Sequence, residues 1–145
     1  MSTRGNVLAT YLGSGDTARG FTDYYPEWLD NLADDVTVEG SLLDGVAQGP
    51  EAVRTILLAI RLLYERQEFY FAGPCGENGF LEDYIATVRG EPVGAVILVS
   101  RNANGQTQHV AAGYRPRSAL LLLSRLLGEK FAGTPYGAYF ADSES

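Results

Sequence analysis

Leu32-Ala33-Asp34-Asp35-Val36-Thr37-Val38-Glu39-Gly40, followed by Gly49-Pro50-Glu51-Ala52-Val53, is the stretch that decides the fold of this 145-residue chain. It joins a helix end, a strand and a helix start. Val36 and Val38 alternate with polar residues as a half-buried strand does, and Gly40 ends the run. Gly49 suits a helix cap, Pro50 has its φ already set for a first helical position, and Glu51 complements the positive end of the helix. Val53, Ile56, Leu57, Ile60, Leu63 and Tyr64 then keep the spacing of a buried helical stripe, with Arg54, Arg61, Glu65 and Arg66 on its solvated side. The reading is an α+β domain, cone-shaped, with a pocket.

Working outward, Val7, Leu8, Tyr11 and Leu12 share one helical face and predict a short first helix ended by Gly13-Ser14-Gly15. Tyr25, Trp28, Leu29 and Leu32 repeat the pattern and predict a second, with Thr22 or Asp23 as N-cap and Pro26 in its first turn. Asp34 and Asp35 end that helix and lead into the strand. Beyond Gln67 the period falls to two, giving strands near Glu68 to Gly73, Phe80 to Arg89, Val93 to Arg101 and Gln106 to Tyr114. Turn-forming residues separate them, so the sheet reads as an antiparallel meander. Residues 119–127 are apolar on more than one face, so the C-terminal helix, at about 117–128, must pack on two sides. It closes the domain's own core, or it forms a dimer contact or a pocket lid. One domain spans 1–145, with a core at about 22–116 and a polar tail at 141–145 expected to fray.

A net charge of −7 with dispersed arginines disfavours nucleic acid, which needs clustered positive charge; Arg115 and Arg117 are the only close pair. Lone Cys75 and lone His109 leave too few soft ligands for a zinc site, and no metal is expected. The opening residues lack an apolar signal core, and no apolar run approaches the roughly 20 residues that span a bilayer. The expectation is a cytoplasmic protein without a membrane partner.

The ordered combination of residues 32–39, the Gly49-Pro50-Glu51-Ala52-Val53 helix start and a closing hairpin about Asn104-Gly105 resembles the nuclear-transport-factor-2-like (NTF2-like) superfamily. That group includes steroid Δ5-isomerases, limonene epoxide hydrolase and SnoaL-like polyketide cyclases. The resemblance covers roughly Tyr24 to Tyr114 and implies a curved antiparallel sheet wrapped around N-terminal helices, here with an extra C-terminal helix. It implies the activity much less, because one cone hosts isomerases, hydrolases, cyclases, dehydratases and simple binders. Where the steroid isomerases carry their proton-moving Asp, just after Val38 and Glu39, this chain has Gly40. Aligning the Asn104-Gly105 turn sets Ile97 at their oxyanion-binding acid and Ala112 at an acid of the epoxide hydrolases.

Anchored on the turn at Gly90, the same comparison sets Glu82 near another functional Asp of the epoxide hydrolases and sends Glu82, Tyr84 and Ala86 to one face. A one-residue slip would present Asp83 instead. A carboxyl entering an apolar cone is desolvated, which raises its pKa toward neutrality and suits it to acid–base work. Glu82 is therefore the candidate proton carrier, with Tyr84 as donor to a carbonyl or oxyanion. Parity also turns Gln108, Val110, Ala112 and Tyr114 inward, and Tyr24, Trp28, Val38, Gly40, Tyr70 and Ile97 complete the candidate binding wall. Each of these aromatics also has a plain packing reading, and Glu82 one as a solvated strand end.

His109, between two inward residues, turns to the outer sheet surface. With Ile85, Val96 and Leu98 on that surface, the expectation is a homodimer through the outer face. Two functions fit. One is a cofactor-independent isomerase, cyclase, dehydratase or epoxide hydrolase for a lipophilic polyketide- or terpene-like molecule. The other is a ligand-binding or dimeric assembly protein without chemistry.

Overall fold

The computed structural model describes residues 9–12 and 26–140. Among the described residues seven strands form one curved, unclosed sheet: β1 (Ala9–Leu12), β2 (Leu32–Gly40), β3 (Ala47–Gln48), β4 (Arg66–Cys75), β5 (Gly79–Val88), β6 (Glu91–Arg101) and β7 (Thr107–Arg115). Their order is β1-β4-β5-β6-β7-β2-β3. Strands β4 to β7 make the expected antiparallel meander, whereas β2 joins β7 in parallel, with Val38 beside Val110 and Gly40 beside Ala112. Arg89 and Gly90, both at positive φ, make the two-residue turn between β5 and β6, a geometry whose twist matches the flanking strands.

Helix α1 (Pro50–Leu62) starts as its sequence dictates, with Gly49 at φ 101°, a conformation that favours glycine, and Pro50 in the first turn. Val53, Ile56, Leu57, Ala59 and Ile60 are buried, and α1 packs on β2 and β3. Helix α2 (Arg117–Phe131) buries Ala119, Leu123, Leu126, Leu127 and Phe131, packs on β6, β7 and α1, and leaves Leu121 in solvent. Of the two duties read for it, closing the domain's own core is the one its buried side takes up. Phe140, after a short 3-10 turn (Gly137–Tyr139), stacks on Phe131 at 5.4 Å between ring centres and extends that packing.

Two expected helices are corrected. Residues 9–12 form β1, an edge strand in register with β4 from Ala9 beside Phe69 to Leu12 beside Arg66; Val7 and Leu8 lie outside the described residues. Short apolar runs fit either element, and here the free edge of β4 supplies the backbone partners. Of the second, the described part is a 3-10 turn (Glu27–Asp30), with Thr22, Asp23 and Tyr25 outside the described residues, and Leu32 already belongs to β2 together with Asp34 and Asp35. Thr107 stops the turn: its hydroxyl donates to the Trp28 carbonyl at 2.7 Å and its N–H to the Asn31 carbonyl at 2.7 Å. Those carbonyls are thus satisfied by β7, not by another helical turn. Strand β3 had no sequence signal, and the 141–145 tail lies outside the described residues. No described helix is long and apolar enough to cross a membrane.

Candidate active site

Alternation along β5 settles which carboxylate enters the core. Glu82, Tyr84, Ala86 and Val88 are buried, while Leu81, Asp83, Ile85 and Thr87 lie half-exposed on the opposite face. Glu82 is 3% exposed, beside Ile97 of β6, and its Oε2 accepts a 3.1 Å hydrogen bond from the Trp28 indole N–H. That bond ties the 3-10 turn to the sheet floor.

Three tyrosines gather around this carboxylate. Tyr64, just past the end of α1, shares a 2.7 Å hydroxyl–hydroxyl hydrogen bond with Tyr84, and its hydroxyl also interacts with that of Tyr114 on β7. The Tyr64 and Tyr84 rings meet edge-on at 5.7 Å, and Phe69 supports Tyr84 at 5.2 Å. Burial pushes all three phenols above their ordinary pKa, and the nearby Glu82 charge pushes the same way. The hydroxyls therefore stay protonated. Three O–H groups with two contacts among them leave one proton to donate to an outside acceptor.

These groups border a cavity of about 40 Å³ lined also by Leu29, Leu57 and Ile60. By the same measure a single water needs about 10–15 Å³, so the space admits a small polar group such as a carbonyl.

Of the candidate residues, Glu82, Tyr84, Trp28, Ile97 and Tyr114 come together on this cavity. Tyr24 lies outside the described residues. Val38, Ala86, Val110 and Ala112 are buried on the inner side but pack in the core away from the cavity lining. Gly40 is corrected to a packing position, since an added Cβ would collide with the Ala112 carbonyl of the neighbouring strand. Tyr70 and Gln108 are corrected for one shared reason, a β-bulge at each. Phe69 pairs with Tyr84 and Phe71 with Asp83, so Tyr70 is the extra residue and stays half-buried outside the lining. Thr107 pairs with Arg101 and His109 with Ser100, so Gln108 is displaced, donating to Asp35 Oδ1 at 2.9 Å and accepting from Asn102 at 3.3 Å. His109 lies on the outer surface, as its parity indicated.

Three polar lining residues escaped the sequence reading. Gln67, 7% exposed, sits two before Phe69 and shares its inward parity. Arg61, assigned to the solvated side, follows Leu57 by four and so lies on the same helical face. Tyr64 was read only as part of the buried stripe. Among the described residues no cluster of His, Cys, Asp and Glu could hold a metal ion.

No family model and no curated protein matches the chain. Solved structures do. A steroid delta-isomerase from Pseudomonas aeruginosa superposes with a TM-score of 0.66 at 16% identity, over 72% of this chain and 77% of its own. An uncharacterized protein with a cystatin-like fold from Silicibacter pomeroyi gives 0.67 at 16% identity, over 73% and 74%. An NTF2-like protein of unknown function from Burkholderia xenovorans gives 0.51 at 16% identity, over 62% and 73%. The fold is NTF2-like, with the C-terminal helix α2 added.

Proposed function

We propose that the chain is a cofactor-free acid–base catalyst in which Glu82 moves a proton and the Tyr64–Tyr84–Tyr114 hydroxyls polarise a substrate oxygen. The observation that carries this reading is a buried carboxylate facing a cavity together with neutral phenols that hold one O–H in surplus. The Trp28 indole N–H fixes one carboxylate oxygen and leaves the other side of the group toward the cavity lining. The substrate class is a lipophilic carbonyl or epoxide compound. Its reacting oxygen occupies the small cavity, whose walls include Leu29, Leu57 and Ile60. Isomerisation, cyclisation, dehydration and epoxide opening all need this pair of roles.

The test is a panel of unsaturated ketones and epoxides followed by proton NMR in heavy water, reading both product and exchange of activated protons. Glu82→Gln keeps shape and hydrogen bonding but not the titrating proton, and is expected to lose about 10²–10⁴-fold in turnover with little change in KM. Tyr84→Phe is expected to lose about 10²–10³-fold, the usual effect of removing one oxyanion donor. Asp83→Asn should leave turnover unchanged. Ligand retained at full affinity by Glu82→Gln, with no turnover by wild type on any panel member, would favour the binding-protein reading.

This reading gives the outer sheet face a second copy of the chain as partner. Phe71, Val96 and Leu98 expose 42%, 39% and 39% of their surface there, and Asp83, Arg115 and Glu39 supply charges of both signs at the edges.

A further inference from the structure

A second group of chemically active side chains lies on the opposite side of the sheet from Glu82. Thr37 and His109 are direct neighbours across the parallel β2–β7 pair, and Glu39 follows two residues along β2, on the same face. Thr37 Oγ1 lies 2.6 Å from His109 Nδ1, and His109 Nε2 lies 3.0 Å from Glu39 Oε2.

The two contacts determine each other's proton. A carboxylate only accepts, so with a neutral imidazole the Nε2 position facing Glu39 carries the hydrogen. Nδ1 is then an unprotonated lone pair, and the group it meets at 2.6 Å is the Thr37 hydroxyl, which must donate. The order is hydroxyl, imidazole, carboxylate, the arrangement in which a base takes the proton of an attacking oxygen while an acid orients the base. In the protomer outside the proposed dimer the imidazole is half-buried, with 32% of its side chain exposed, so it is held by the sheet yet open to a reagent. Beside it runs a shallow apolar groove lined by Glu39, Val96, Leu98, Ala111 and Gly113.

We propose that Thr37, His109 and Glu39 form a second, surface nucleophilic site that accepts acyl groups from activated esters with a small apolar acyl or aryl part. Thr37 Oγ attacks the ester carbonyl carbon, and His109 Nδ1 takes the hydroxyl proton. The bond from the carbonyl to the leaving phenolate then breaks, and the imidazolium passes its proton to the leaving group or to solvent. An acyl ester on Thr37 remains. Water attacks that ester with His109 again accepting the proton, releasing the acid and restoring the hydroxyl. Glu39 is a positioning residue in this scheme. The site is independent of the cavity that holds Glu82.

The probe is 4-nitrophenyl acetate, applied below the concentration at which the chain associates, with phenolate release followed by absorbance and the acetylated residue located by peptide mass spectrometry. The expected result is one acetyl group on the peptide at Thr37. Thr37→Val should abolish that adduct while circular dichroism and the thermal midpoint stay close to wild type. His109→Gln should slow acylation of Thr37 by about 10²-fold or more, the usual scale of a lost general base. Glu39→Ala should slow acylation, and Glu39→Gln, whose amide oxygen still accepts from Nε2, should restore most of the rate. Acetylation of His109 or of lysine with Thr37 unmodified overturns the proposal, as does a Thr37 adduct formed at the wild-type rate in His109→Gln.

Discussion

Glu82 and Asp83 are consecutive on β5 and occupy opposite electrostatic worlds. Glu82 is 3% exposed, bonded to the Trp28 indole and set on a cavity shared with three neutral phenols and Arg61. The Asp83 side chain is 22% exposed and pairs with Arg115 at 3.3 Å on the outer face, where the pair is worth about 0–1 kcal/mol. A strand turns successive side chains to opposite faces, so one step along the chain separates a desolvated acid from an ordinary surface ion pair. In this molecule, register is what decides between a reactive group and a solubilising one.

The contrast between the faces can be broken first through packing. Phe69, 2% exposed beneath Tyr84, and Phe71, 42% exposed on the outer face, are two residues apart with the Tyr70 bulge between them. Phe69→Ala is expected to cost about 3–5 kcal/mol of unfolding free energy, whereas Phe71→Ala should stay within about 0.5 kcal/mol. Urea denaturation of both variants checks this. Equal costs would mean that the bulge does not separate the faces as described.

A smaller effect distinguishes the faces by pH. A phenol whose folded-state pKa is raised contributes stability that is fully present below its ordinary value of about 10 and is lost as the pH rises through the raised value. Above about pH 10 the unfolded chain releases those protons and the folded one holds them. Each buried phenol should then reduce stability by up to about 1.4 kcal/mol per pH unit. Tyr84→Phe should flatten that alkaline slope, at a cost of about 1 kcal/mol near neutral pH for the lost Tyr64 hydrogen bond. An unchanged slope in denaturant titrations across that range would place the phenols in water.

For the outer face the readout is assembly. Wild type is expected to sediment as a dimer at micromolar concentration and Val96→Asp as a monomer, because a charge there desolvates on association. A wild-type monomer at every concentration removes the self-association proposal.

How far the sequence carried this description depended on periodicity. Helix α1, with Gly49 and Pro50 at its start, and the β4–β7 meander follow from long regular patterns, and the inward turn of Glu82 and Tyr84 follows from the Gly90 turn that sets the β5–β6 register. The failures lie where non-local pairing overrides a short pattern. The edge of β4 captures residues 9–12 as a strand, and Thr107 stops the turn at Trp28. Bulges at Tyr70 and Gln108 shift parity midway along a strand, which no alternation rule detects from one sequence. Tyr64 escaped for a different reason: a buried helical stripe identifies the ring but not the hydroxyl at its tip.

The central claim, that the inner face holds a buried carboxylate poised for proton transfer, is tested most directly by exchange of a substrate's activated protons with heavy water, followed by proton NMR. Wild type is expected to exchange them, and Glu82→Gln, which keeps the shape of the site, to exchange them about 10²–10⁴-fold more slowly. Exchange at the wild-type rate in Glu82→Gln would contradict the account.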